Sequence, residues 1–401
     1  MKLTRLTQAR AGYLLGVLFF TGLVTANATF AQIESQQTSS QGIRDFAAYW
    51  SAARLLLTGN NPYSPSLALQ RSIGMSEAAP LIMWNPPWCL TFLLPFGLIE
   101  FSAAQFLWLS LNVALLAFSV QQLWQIYSGT NEKTWLAWLL AFTFVPAIYV
   151  LVLGQMTALI LFALTLFILF ERERRWWMVS LILVVLTIKP QVIYLFWIAV
   201  VLWIWHEKHW KVLFGSAVIG LLLATIPLLF DPAVYSHYLD VLRSGKHQTP
   251  LELPAPTLRN ALVVILGIKN PLLQFAPTIL GAVWMIFYWS RRRNHWVWSD
   301  HLPVILIASV ATSPYTWSFD QTIFLTAIIQ VFTWLPRKSK YVMVGYVLFN
   351  GCYLALRYLV QLDFWYFWTA PVFLGAYLIA RHRYRNCSSD PPLQRSFELA
   401  H

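Results

Sequence analysis

Apolar stretches close to the length of a bilayer span recur from Ala11 to Ala380, separated by short polar or basic segments. A helix rises about 1.5 Å per residue, so a hydrocarbon core of about 30 Å takes roughly 20 apolar residues, fewer where the bilayer thins. About twelve runs approach that length: 11–30, 101–124, 134–152, 156–170, 176–189, 191–206, 210–229, 271–290, 302–312, 320–335, 341–357 and 364–380. This pattern predicts an all-α, polytopic membrane protein. The first run follows Lys2, Arg5 and Arg10 and ends in small and polar residues as a cleaved leader would, but the spans that follow favour a retained signal anchor.

Charge sets the expected topology. With the N-terminus inside, the clusters Arg172/Arg174/Arg175, Lys208/Lys211, Arg291 to Arg293, Arg337/Lys338/Lys340 and Arg381/Arg383/Arg385 all fall on the cytoplasmic side, and 19 of the 28 basic residues are inside. The stretch 86–98 carries Pro86, Pro87 and Pro95 and is too short to cross, so it reads as a re-entrant or interfacial helix on the outer side. Residues 1–385 then form a single transmembrane domain in the cell membrane. The polar tail 386–401 is expected to be disordered and cytoplasmic.

Composition narrows the class. The chain is 58% hydrophobic and only 11% charged, against about 25% charged in an ordinary globular protein. Its net charge of +12 follows from the clusters at the ends of apolar runs, which argues against a nucleic-acid partner. Cys89, Cys352 and Cys387 match no metal or redox spacing, and no carboxylate cluster near Asp45 signals a metal; neither metal nor cofactor is expected. The chain has no GxxxxGK[ST], HExxH or GxSxG pattern, which removes a nucleotide-hydrolysing pump, a zincin and a serine hydrolase.

Two long outer segments, about 32–100 and 231–270, hold most of the candidate chemistry. From Asp45 to Gly59 the apolar positions Phe46, Tyr49/Trp50, Ala53 and Leu56/Leu57 recur at helical spacing, predicting an amphipathic helix on the outer membrane surface with Asp45 at its start. Asp45 reads as an N-cap or as a general base at the membrane boundary. Asn60-Asn61-Pro62-Tyr63 and Asn85-Pro86-Pro87 are turns beside aromatic residues. Gly154-Gln155 and Lys189-Pro190-Gln191 each join two apolar runs on the outer side. A lysine in such a setting snorkels or meets a partner, an anionic phosphate being a suitable one. Arg259 fits a phosphate grip and Trp317 fits a sugar face, although each also serves as a topological anchor.

In order and spacing these pieces resemble glycosyltransferase family 87, within the GT-C superfamily. The likeness runs from Asp45 to Asp320 through Asp45-Phe46-x-x-Tyr49-Trp50, Gly59-x-x-Pro62-Tyr63, Asn85-Pro86-Pro87, Gly154-Gln155, Lys189-Pro190-Gln191 and Ser313-Pro314-x-x-Trp317. The resemblance implies a GT-C-type fold and transfer of a hexose, often mannose, from a polyprenyl-phosphate donor to a lipid or glycan acceptor on the non-cytoplasmic face, with inversion. Asp45 would be the catalytic base. Tyr49, Trp50, Tyr63, Asn85, Gln155, Lys189, Gln191, Arg259, Trp317 and Asp320 would line or support the substrate sites. In one respect the chain departs from the family. A histidine usually follows the tryptophan closely, whereas here Ser318-Phe319-Asp320-Gln321 follows Trp317, leaving Asp320, His237 or His247 to substitute. The competing readings are a membrane transporter, which would carry polar residues deep in several spans or repeated halves, and a non-catalytic membrane subunit.

Overall fold

The computed structural model describes residues 44–75, 81–244, 251–268, 270–334, 339–360 and 362–388. The expected first span, most of the tail and His247 lie outside them. Every apolar run within the described residues is helical, and no strand occurs among those residues. A segment in lipid has to satisfy its backbone within itself, and helices do so. The first half comprises α1 (Arg44–Leu57), α2 (Leu90–Gly97), α3 (Phe101–Ile126), α4 (Thr134–Thr143), α5 (Val145–Leu153), α6 (Thr157–Arg172), α7 (Trp176–Leu186), α8 (Tyr194–Glu207) and α9 (Trp210–Thr225). The second comprises α10 (Val234–Arg243), α11 (Leu258–Val264), α12 (Ala276–Ser290), α13 (Trp298–Thr312), α14 (Leu325–Trp334), α15 (Ser339–Val360) and α16 (Thr369–Ser388).

Three helical segments, Phe101–Ile126, Trp210–Leu229 and Lys340–Val360, are long and apolar enough to cross a membrane by themselves. Several others are shorter apolar helices. The run expected as one span at 134–152 is instead a pair of helices bent by 63°. Phe144 is extended at the break, and Pro146 opens α5 without an N–H to continue the preceding ladder. Leu213, Phe214, Leu221 and Leu222 of α9 and Leu280 and Val283 of α12 are exposed apolar side chains, as helices facing lipid require.

Two expectations change. The helix from Asp45 does not lie on a surface: Phe46, Ala47, Tyr49, Trp50, Ala52, Ala53 and Leu56 of α1 are all buried. It is apolar on more than one face, and its alanines admit a close neighbour; a Cβ on Gly97 of α2 would come within 2.9 Å of the Ala53 backbone. Trp50 Nε1 donates to Ile99 O (3.1 Å) and Arg54 to Gly97 O (2.9 Å), satisfying carbonyls at and just beyond the end of α2. Asn386 to Ser388, assigned to the tail from the sequence, are the last residues of α16.

The direction of the helices separates two ends of the bundle. Ser313 Oγ, just past α13, donates to Gln191 O (2.8 Å) at the turn before α8. At the opposite end Arg172, closing α6, donates to Ser299 Oγ (2.8 Å) at the start of α13. Arg172, Lys208 and Arg291 fall at the ends, and Arg381 in the C-terminal half, of helices that point away from Gln191 and Ser313.

Candidate functional site

One hydrogen-bonded network joins four segments at the Gln191 end. Asp45 and Tyr49 stand four residues apart, hence on one face of α1. Gln155 donates from Nε2 to Asp45 Oδ2 (2.6 Å) and accepts at Oε1 from Tyr49 Oη (3.1 Å) and Lys189 Nζ (2.9 Å). Lys189 also donates to Thr157 Oγ1 (3.2 Å) and to Asp320 Oδ1 (2.9 Å), and Thr157 donates to the same Asp320 oxygen (2.8 Å). The second Asp320 oxygen accepts from the Trp317 backbone N–H (3.0 Å). An ammonium can only donate, so Lys189 fixes which end of the Gln155 amide faces it and thereby turns the NH₂ toward Asp45.

Burial is uneven along this chain of contacts. Lys189, Gln155, Thr157 and Asp320 are all buried, whereas Asp45 is partly exposed. Burial, followed by the Asp45 and Asp320 carboxylates, pushes the Tyr49 phenol well above its ordinary value, so it stays protonated as a donor to Gln155. Lys189 also lies 4.8 Å from the centre of the Phe319 ring. Its three protons meet three acceptors within the chain, one of them Asp320 in a buried ion pair.

The local sequence explains how the segments meet. Gly154 ends α5 with φ +69°, a left-handed conformation that glycine adopts without strain. A Cβ there would stand 2.5 Å from the Phe46 Cβ, so the turn can touch α1 only as glycine. Trp108 Nε1 of α3 caps the same turn by donating to Gly154 O (2.8 Å). Gly154→Ala is expected to destabilise the fold by about 1–3 kcal/mol through backbone strain, before the clash with Phe46 is added. An unchanged melting temperature in detergent would contradict this packing.

The structure does not bring all the expected residues into the network. Trp50 turns to Ile99 and Phe101 on another face of α1. Tyr63 donates to Asn85 O (3.0 Å), so the two turn segments of the first loop join each other, and the Tyr63 ring lies 5.1 Å from that of Tyr238. Gln191 contributes its backbone carbonyl, to Ser313. Trp317 joins through its backbone, its ring lying 6.4 Å from Phe319. Arg259 donates to Leu251 O (2.8 Å), Asn260 Oδ1 (3.1 Å) and Gln274 Oε1 (3.2 Å), and it braces the second long loop. His237 pairs with Asp231 at 2.8 Å in that loop. Asp320, offered as a stand-in for the family histidine, is the counterion of Lys189.

Sequence reasoning missed Thr157 and Trp108. Thr157 stands two residues beyond Gln155, where the next helix begins, and that position was a usable signal. Trp108 carried none.

The chain matches glycosyltransferase family 87 over residues 84–314, more than half of its 401 residues. Gln155, Thr157 and Lys189 fall inside this window; Asp45 and Asp320 flank it. No match to a curated protein or to a solved structure was found. A helical bundle with apolar, lipid-facing helices agrees with that match, and the chain is a membrane protein belonging to glycosyltransferase family 87, a glycosyltransferase.

Proposed function

We propose that the enzyme moves a hexose, mannose in the first instance, from a polyprenyl-phosphate carrier to a lipid or glycan acceptor on the non-cytoplasmic face of the cell membrane. The observation that carries this reading is the placement of Asp45: it is the partly exposed end of a buried network, at the bundle end opposite Arg172, Lys208, Arg291 and Arg381. With those cations inside, the site faces outward.

Asp45 takes the proton of the acceptor hydroxyl as its oxygen attacks the anomeric carbon. The bond from that carbon to the phosphate oxygen breaks, polyprenyl phosphate departs, and the configuration inverts. Gln155 holds the carboxylate in place, and Lys189 holds Gln155. Arg259, whose Nε–H is buried without an acceptor among the described residues, is the cation offered to the departing phosphate. Tyr49, Tyr63, Asn85, Gln191 and Trp317 shape the approach to Asp45.

Proteoliposomes loaded with radiolabelled polyprenyl-phosphate mannose, or in parallel with a nucleotide sugar, test the donor. Transfer from the lipid donor alone, with stoichiometric release of polyprenyl phosphate, is the expected result. Transfer from the nucleotide sugar alone would overturn it.

A further inference from the structure

A cleft of about 690 Å³ runs between α12, α13 and α16, from Gly281 and Thr312 near the Gln191 end to a cluster of arginines at the other end of the bundle. Leu280 and Phe287 of α12 face Leu374 and Leu378 of α16 across it. Its mouth is formed by Arg291 and Arg292 past α12 and by Arg381 and Arg385 of α16. Among the described residues no carboxylate lines it. α12 and α16 both run away from the Asp45 network, so both deliver their basic C-terminal residues to one place.

The ordinary account of arginines at helix ends is the helix dipole and the sidedness of membrane proteins. It explains each arginine singly. It does not explain an open apolar slot between two such ends, with Arg291, Arg292 and Arg381 gathered at its mouth and no carboxylate in its lining among the described residues. Three of these arginines are also held in position. Arg291 lies 4.0 Å from the Phe287 ring centre, Arg292 lies 4.2 Å from that of Tyr288, and Arg381 reaches the Tyr288 hydroxyl at 3.4 Å. From Gly281 to Arg292 the cleft follows α12 for about 16 Å at the helical rise, close to one leaflet of a core about 30 Å thick. Charge at the headgroup level and an apolar wall one leaflet deep describe an amphiphile with an anionic head.

We propose that this cleft holds an anionic membrane phospholipid, its phosphate among Arg291, Arg292 and Arg381 and an acyl chain along the apolar wall toward Gly281. A carrier phosphate produced at Asp45 would be at the opposite end of the bundle, which favours a resident phospholipid over the reaction's own lipid.

Native mass spectrometry of the purified full-length enzyme tests this. The probes are phosphatidylglycerol, phosphatidylcholine with the same chains, and polyprenyl phosphate. Wild type is expected to retain phosphatidylglycerol over phosphatidylcholine. In the variant Arg291→Gln/Arg292→Gln/Arg381→Gln, that retention should fall on the order of a hundredfold, from about 1 kcal/mol per cation near an anionic headgroup. Arg293→Gln, an exposed arginine outside the cleft, should retain it. Should the triple variant fail to fold, the single variants Arg291→Gln and Arg381→Gln decide, each expected to weaken retention severalfold. Equal retention of both phospholipids, undiminished retention in folded variants, or preference for polyprenyl phosphate would overturn the proposal.

Discussion

Asp45→Asn is expected to lower transfer by about 10²- to 10⁴-fold, the usual contribution of a positioned general base, while the protein keeps its melting temperature in detergent. The substitution preserves shape, and Gln155 Nε2, 2.6 Å from Asp45 Oδ2, can donate equally to an amide oxygen. What the amide cannot do is accept the acceptor's proton. The loss should therefore appear in kcat, with the KM for the lipid donor little changed. Initial rates at saturating donor check this, and a rate within threefold of wild type would remove Asp45 from the chemistry.

Lys189→Met is expected to destabilise the enzyme by about 3–5 kcal/mol, because it leaves the buried Asp320 carboxylate without its cation. Replacing both partners, as Lys189→Met/Asp320→Asn, should recover most of that loss, since the stranded charge is then gone as well. Activity should not recover with stability. Without the ammonium, Gln155 Oε1 keeps only the Tyr49 hydroxyl as a donor and the amide holds Asp45 less firmly, so kcat stays low in a protein that melts near the wild-type temperature. Thermal melts paired with transfer assays separate the two effects. A stable, fully active double variant would show that Lys189 only neutralises Asp320. A selective rise in KM for the lipid donor would return Lys189 to the phosphate.

Within one element, part of the site was legible from residue spacing. Positions 45 and 49 share a face of α1 by the helical repeat, and position 50 lies about 100° further round. Trp50 accordingly meets Ile99 and Phe101 and not the network around Asp45. The burial of α1 was less accessible. Its alanines were visible, but the complementary glycines that admit close contact are Gly97 at the end of α2, 43 positions from Arg54, and Gly154 in the turn after α5, more than 100 positions from Phe46.

By itself the sequence determined the material of this protein. Long apolar runs must become helices where no water can satisfy the backbone, and a lysine between two such runs must find a counter-charge or a function. Which partner Lys189 takes was decided only by the tertiary structure. Asp320 lies 131 residues away, and periodicity along one helix reports which side chains share a face without saying what that face will meet. The cost of an unpaired buried charge made some pairing necessary, and the packing of α5, α6 and the 313–320 loop selected this one. Through Gln155, that selection also oriented the carboxylate on which we base the reaction.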